Sequence, residues 1–181
     1  MPVSRSNQEA QWVVRAQCDD RDALERLLRS LQPSLYRYVR SLIGDVHADD
    51  VVQDVLIAVA RKLTWLAEPT LVRPWAFRIA SRAAFRHLRK ERRLARYGGD
   101  EDALEELAAP DPPPSDDLLR ELMASTLLSP ASRAVLVLHF QEEMPLAEVA
   151  AVLEIPLGTA KSRLAYGLRA LRRHLAEKRS L

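Results

Sequence analysis

The stretch from Leu146 to Arg173, LAEVAAVLEIPLGTAKSRLAYGLRALRR, constrains the fold more than any other part of this chain. A short apolar helical pattern meets a proline-marked break, and a second helical pattern follows, opening at Gly158-Thr159. Leu146, Val149, Ala150 and Leu153 share one face of the first helix, and Ala160, Leu164, Leu168, Leu171 and Leu175 continue the apolar stripe on the second. Ser162, Tyr166, Arg169 and Arg173 line another face at helical spacing, and Lys161, Arg163 and Arg172 add positive charge. This is the layout of a helix-turn-helix, in which one helix packs and a basic second helix lies in the major groove. Thr159, Lys161, Ser162 and Arg163 fall in the early turns, where such a helix reaches bases and phosphates. Arginine can grip a guanine edge with two bonds, whereas lysine suits a phosphate. Thr159 reads equally well as a helix cap or a DNA contact. The plainer reading of the whole segment is a helical hairpin with a solvated basic face.

The remainder is also helical in pattern. Helices are expected over Gln8–Gln17, over Arg21–Leu42 with Asp19 or Asp20 as cap and a kink or split at Pro33, over Val46–Leu63 and over Val72–Ala95. The third carries an apolar stripe of Ala48, Val51, Val52, Val55, Val59 and Leu63. Tyr97-Gly98-Gly99 ends this bundle, and an acidic tract through Asp111-Pro112-Pro113-Pro114-Ser115 reads as an extended linker, because consecutive prolines cannot sit inside a helix. Beyond it a helix is expected over Leu118–Leu128, then one that starts with Ser129 as cap and Pro130 in its first turn and ends near Phe140. The expectation is an all-α chain of two small helical domains, 1–96 and 116–181, joined by an acidic Pro-rich linker at 97–115, the C-terminal domain being the helix-turn-helix.

A hydrophobic fraction of 48% supports a packed core, and only five glycines in 181 residues favour helices. The net charge of +2 hides a strong segregation. Arg61 to Arg96 is mostly basic, Asp100 to Glu121 acidic, and the last helix basic again; local charge decides where a polyanion sits. The single cysteine, Cys18, excludes an internal disulfide and a Cys-rich zinc site, and reads as a small core residue in a reducing compartment. The N-terminus lacks a signal-peptide core, and no run approaches the ~18–20 apolar residues of a membrane span, so a soluble cytoplasmic protein is expected.

Two faces of the N-terminal bundle carry possible function. Asp50, Gln53, Asp54 and Arg61 share a polar face of the third helix with Ile57 among them. An apolar residue inside a charged face suits a protein contact, although an ordinary solvated face fits the spacing equally. In the next helix Arg78, Arg82, Arg86, Arg89 and Arg93 recur at three- and four-residue intervals, with Trp75 on the same side. Like charges at this spacing weaken a free helix, and a polyanion relieves that repulsion. Arginines beside an aromatic suit single-stranded nucleic acid; the alternative is a solvated basic face with Trp75 in the core.

Three segments together, ADDVVQDVLIAV (Ala48–Val59), RPWAFRIASRAA (Arg73–Ala84) and EIPLGTAKSRL (Glu154–Leu164), resemble the bacterial extracytoplasmic-function (ECF) sigma factors, the group that keeps only conserved regions two and four. The likeness covers roughly Asp20 to Arg93 and Leu118 to Leu175. It implies a chain that binds core RNA polymerase, recognises promoter DNA and helps open it. By this resemblance Asp49, Asp50, Gln53, Asp54 and Ile57 would dock on the polymerase clamp. Trp75, Arg78, Arg82, Arg86, Arg89 and Lys90 would handle the minus-ten element, and the loop Thr64–Arg73 would hold a flipped-out base. Thr159, Lys161, Ser162, Arg163, Tyr166 and Arg169 would read the minus-thirty-five element as duplex, and the acidic linker would thread toward the RNA exit path. The resemblance also implies an anti-sigma factor that masks both DNA and polymerase surfaces. This chain has Arg82 and Arg86 where relatives usually carry Asn and Asp, and Tyr166-Gly167-Leu168 where they often carry Arg-Ala-Arg.

Other classes fit less of the chain. A helix-turn-helix repressor or activator would explain the C-terminal half but not the arginine stripe, and is usually a dimer, whereas a free sigma factor is expected to be monomeric. Asp49-Asp50 and Asp54 superficially resemble the acidic motifs of isoprenoid synthases, and His47 near Asp49 invites a metal-phosphohydrolase reading. No second acidic cluster is evident on a facing helix, so His47 reads as a surface residue at a helix N-terminus, and no catalytic residue, metal or cofactor is expected.

Overall fold

The computed structural model describes residues 5–95 and 128–178, which fall into two compact units divided within one helix at Arg89/Lys90. All regular structure among the described residues is helical. The linker 97–115 and nearly all of the helix expected over Leu118–Leu128 lie outside them, as does the side chain of Leu175.

The N-terminal unit holds α1 (Arg5–Gln17), α2 (Arg21–Ile43), α3 (Ala48–Lys62) and α4 (Val72–Ala95) up to Arg89. Short 3-10 turns at Leu63–Trp65 and Pro69–Leu71 connect α3 to α4. Asp20 caps α2 by accepting from the Ala23 N–H at 3.0 Å. That bond and the adjacent Arg15 guanidinium hold its carboxyl below the usual carboxylate range. Of the kink or split considered at Pro33, the split does not occur, and α2 runs through it. Pro33 and Arg29, whose carbonyl loses its partner, are both exposed, so water can satisfy the freed oxygen. Leu27, Leu31 and Leu35 meanwhile hold the opposite face in the core.

Most of the expected apolar stripe of α3 is realised: Ala48, Val52, Val55, Val59 and Leu63 are buried, and Val51 is half-buried. Tyr38, Val39 and Leu42 of α2 and Phe77, Ala80 and Ala84 of α4 are buried as well. Tyr38 and Phe77 pack edge to face at 5.4 Å. The Tyr38 hydroxyl donates to Ser81 Oγ at 2.7 Å, and Ser81 donates to the Phe77 carbonyl at 2.7 Å, so neither buried hydroxyl is left unsatisfied. Burial pushes the Tyr38 phenol far up, which keeps it protonated.

Cys18 is exposed, contrary to the core position expected. The chain leaves α1 at Gln17 and turns through Asp19 at φ 63°, which carries residue 18 off the packed face.

The C-terminal unit contains α5 (Pro130–Leu136), α6 (Leu146–Leu153) and α7 (Leu157–Lys178). Ser129 caps α5 by accepting from the Ser132 N–H, with Pro130 in the first turn, as expected. After Leu136 the helix widens to π geometry over Val137–Gln141. Its exit is tied down by a 2.8 Å bond between His139 Nδ1 and the Met144 carbonyl.

Candidate nucleic-acid interface

The helix-turn-helix begins with α6, whose Val149, Ala150 and Val152 are buried. Glu154 adopts a left-handed conformation at φ 57° and ends the helix, and the Ile155 N–H returns to the Ala150 carbonyl at 3.0 Å. This closure satisfies the last carbonyls of α6 and reverses the chain within Glu154–Pro156. Helix α7 then starts at Leu157. Thr159 is therefore inside its first turn rather than at its cap, which removes the capping alternative.

Lys161 is exposed, and Thr159, Ser162 and Arg163 are half-buried. The Ser162 hydroxyl donates to the Thr159 carbonyl at 3.0 Å, and its oxygen retains acceptor capacity. Partial burial draws the Arg163 guanidinium below its ordinary value; it remains charged, because arginine does not deprotonate in proteins.

Tyr166 is half-buried and packs against the cluster of Leu128, Leu136, Leu168 and Leu171. The ring therefore supports the recognition helix, whatever its hydroxyl reaches. Gly167 explains its own presence beside it: a Cβ there would lie 2.6 Å from Leu136 Cδ1. What the sequence shows as a helix-weakening residue is a point where α7 leaves no room for a side chain beside Leu136 of α5.

Along α4, Arg82, Arg86, Arg89, Lys90 and Arg93 are exposed. Trp75 and Arg78 are half-buried, which places them at the junction of the basic face and the core. Arg78 Nε is buried with no hydrogen-bond partner among the described residues.

The loop before α4 is held from behind by two contacts that sequence reasoning missed. Gln17 Nε2 donates to the carbonyls of Leu63 and Leu66, each at 2.9 Å. Fully buried Glu9 accepts from Arg73 Nε at 2.8 Å, from Arg73 Nη2 at 3.1 Å and from Ser30 Oγ at 2.6 Å. The one available signal was the spacing of Glu9 four residues before buried Val13, which puts a carboxylate on the apolar face of α1. These bonds fix the segment between two restraints while Trp65, between Leu63 and Leu66, stays 81% exposed.

On α3, Asp49, Asp50, Gln53, Asp54 and Ile57 are all exposed, and Ile57 is 43% exposed amid the polar side chains. The three aspartates belong to no cluster of metal-ligating side chains among the described residues, so the superficial isoprenoid-synthase resemblance gains no geometric support.

The family models for sigma-70 region 2 and sigma-70 region 4 match residues 27–94 and 127–173. The ECF RNA polymerase sigma factor SigL of Mycobacterium tuberculosis is 33% identical over 151 residues, spanning 79% of this chain and 83% of that protein. The chain belongs to the ECF sigma factors. Like its family, this sigma factor directs promoter-specific transcription initiation with core RNA polymerase. Among solved structures, CnrH in complex with the cytosolic domain of CnrY is 27% identical, with a TM-score of 0.68 over 94% of this sigma factor and 98% of that chain. RpoE from Bartonella quintana, solved with the anti-sigma factor NepR, shares the fold at 22% identity, with a TM-score of 0.66 over 84% of this chain and 96% of that one.

Proposed function

We propose that this sigma factor divides promoter recognition between two domains, 1–96 and 116–181, with 97–115 as tether. Thr159, Lys161, Ser162 and Arg163 meet the minus-thirty-five duplex, with Tyr166 and Arg169 flanking them on α7. Trp75, Arg78, Arg82, Arg86, Arg89 and Lys90 of α4 meet the minus-ten element. Asp49, Asp50, Gln53, Asp54 and Ile57 of α3 dock on core polymerase. The observation that carries this reading is the pairing of family membership with exposure. The polar face of α3 and four of the six residues assigned on α4 lie exposed, while the opposite faces build the core.

The energetics need no catalytic group. Separating a stacked step costs about 1.4 kcal/mol, and extruding a base costs a few kcal/mol. Stacking on an aromatic side chain returns roughly 1–3 kcal/mol per captured base. Arginines on α4 add backbone attraction that falls with salt, so a few captured bases offset local melting once polymerase supplies the remainder. Free sigma is expected to bind DNA weakly, because the readers belong to two small domains that must be positioned together on binding, and core polymerase raises their effective concentration by fixing their separation.

We further infer that an anti-sigma factor controls this chain, that the free protein is a monomer, and that it acts in the cytoplasm with polymerase. Support for the regulator comes from the sigma factor RpoE of Bartonella quintana, which shares the fold and was solved in complex with the anti-sigma factor NepR. No described helix is long and apolar enough to cross a membrane.

The test is reconstitution of the full chain with core polymerase on a promoter library. The reading expects transcripts from a restricted set sharing two upstream elements. Transcription independent of promoter sequence, or none above core enzyme alone, overturns it.

A further inference from the structure

Helices α3 and α4 meet at a cluster that the proposed polymerase and promoter contacts leave unassigned. His47 stands at the N-cap of α3 without a side-chain capping bond to that helix. Its ring lies beside that of half-buried His87 in α4, with centroids 4.8 Å apart and planes inclined at 54°. Glu91 follows His87 by four residues on the same unbroken helix, so the two side chains share a face. One ligand atom from each of His47, His87 and Glu91 lies within 4.8 Å of the other two.

We propose that His47, His87 and Glu91 form a binding site for a divalent transition cation of the zinc type, joining the start of α3 to the last turns of α4. Two imidazoles and one carboxylate suit zinc, whereas magnesium and calcium require oxygen ligands throughout. Zinc bonds of about 2.0–2.2 Å place tetrahedral ligand atoms roughly 3.3 Å apart. The ligand atoms, within 4.8 Å of one another, would draw together to reach that spacing on binding. Two ligands at i and i+4 on a helix, completed from another element, are an arrangement that helices readily offer, and three protein ligands leave a fourth position for water.

The frame around the trio is firm. Ala48, next to His47, is fully buried, and Ala84, one turn before His87, is fully buried as well. The charge environment is mixed: Arg86, Arg89 and Lys90 neighbour His87 and Glu91 along α4 and oppose an added cation. Asp49 and Asp50, which follow His47 on α3, together with the Glu91 carboxylate, work the other way. No motif spacing announces the site in the sequence, because His47 and His87 come from different helices.

Calorimetric titration of the full chain with Zn2+, in a Cys18→Ser background that removes the exposed thiol, provides the test. The expected result is one Zn2+ per chain and a rise in Tm that a chelator reverses, with no matching effect from Mg2+. His47→Asn separates this from a purely structural histidine pair, since asparagine is a preferred N-cap. It should preserve or raise the metal-free Tm while weakening zinc binding more than about tenfold, as loss of a ligand costs at least as much as loss of its outer-shell partner. His87→Gln should weaken zinc equally, and His139→Ala should leave it unchanged. Absence of zinc binding by the folded chain overturns the site. So does unchanged affinity in both His47→Asn and His87→Gln, or an equal loss in His139→Ala.

Discussion

Glu9 has no exposed surface, yet it carries a charge, and the Arg73 fork with Ser30 makes that position tenable. Removing one partner of a buried pair strands the other, at about 3–5 kcal/mol. Glu9→Ala is therefore expected to lose about 3 kcal/mol of stability in urea unfolding, and a loss under about 1 kcal/mol would contradict the buried-pair account. Gly167 makes a sharper case, because two effects of opposite sign meet there. Alanine gains about 1 kcal/mol of helix propensity, but its Cβ would overlap Leu136 Cδ1, which stands 2.6 Å away. Overpacking of this kind costs about 1–3 kcal/mol, so Gly167→Ala should be net destabilising in the wild-type background. In a Leu136→Ala background the overlap vanishes, and the same substitution should become stabilising. A double-mutant cycle in thermal unfolding measures that change of sign. At this scale the sequence was half legible. The position of Gly167 and its helix cost could be read directly, but the leucine above it comes from another helix and only packing reveals it.

Single elements followed their sequence patterns wherever one face alone decides the outcome. The apolar stripe of α3, the Asp20 cap of α2 and the Ser129-Pro130 start of α5 are each local devices, and each lies where its residues put it. The π-helical stretch at Val137–Gln141 was not legible, since an α pattern and a widened one differ little over five residues. Whether Pro33 would split α2 was not legible, because it depends on which face of the helix meets water. For α4, the exposed stripe makes Arg82 the informative position. It stands exposed, clear of the core. Arg82→Asn is expected to reduce the salt dependence of promoter binding and to shift minus-ten preference in the promoter library. A lower salt slope with unchanged preference would make Arg82 a phosphate contact alone.

For the whole molecule, the order of parts was the most legible property of the sequence. A helical bundle with an arginine stripe, a proline-rich acidic tract and a helix-turn-helix could all be recognised before any contact was known. The cross-element bonds that hold the loop before α4, and the histidine pair between α3 and α4, were not legible because their partners are distant in sequence. The central claim is that polymerase docking and minus-thirty-five reading reside on separate surfaces. The most direct measurement compares Asp50→Arg/Asp54→Arg with Lys161→Ala/Arg163→Ala, each folded by circular dichroism, for affinity to core polymerase and for transcription from one cognate promoter. The account predicts that the aspartate pair loses polymerase affinity, whereas the Lys161/Arg163 pair keeps it and loses promoter-specific transcripts. Wild-type polymerase affinity in the first variant, or lost affinity in the second, would contradict it.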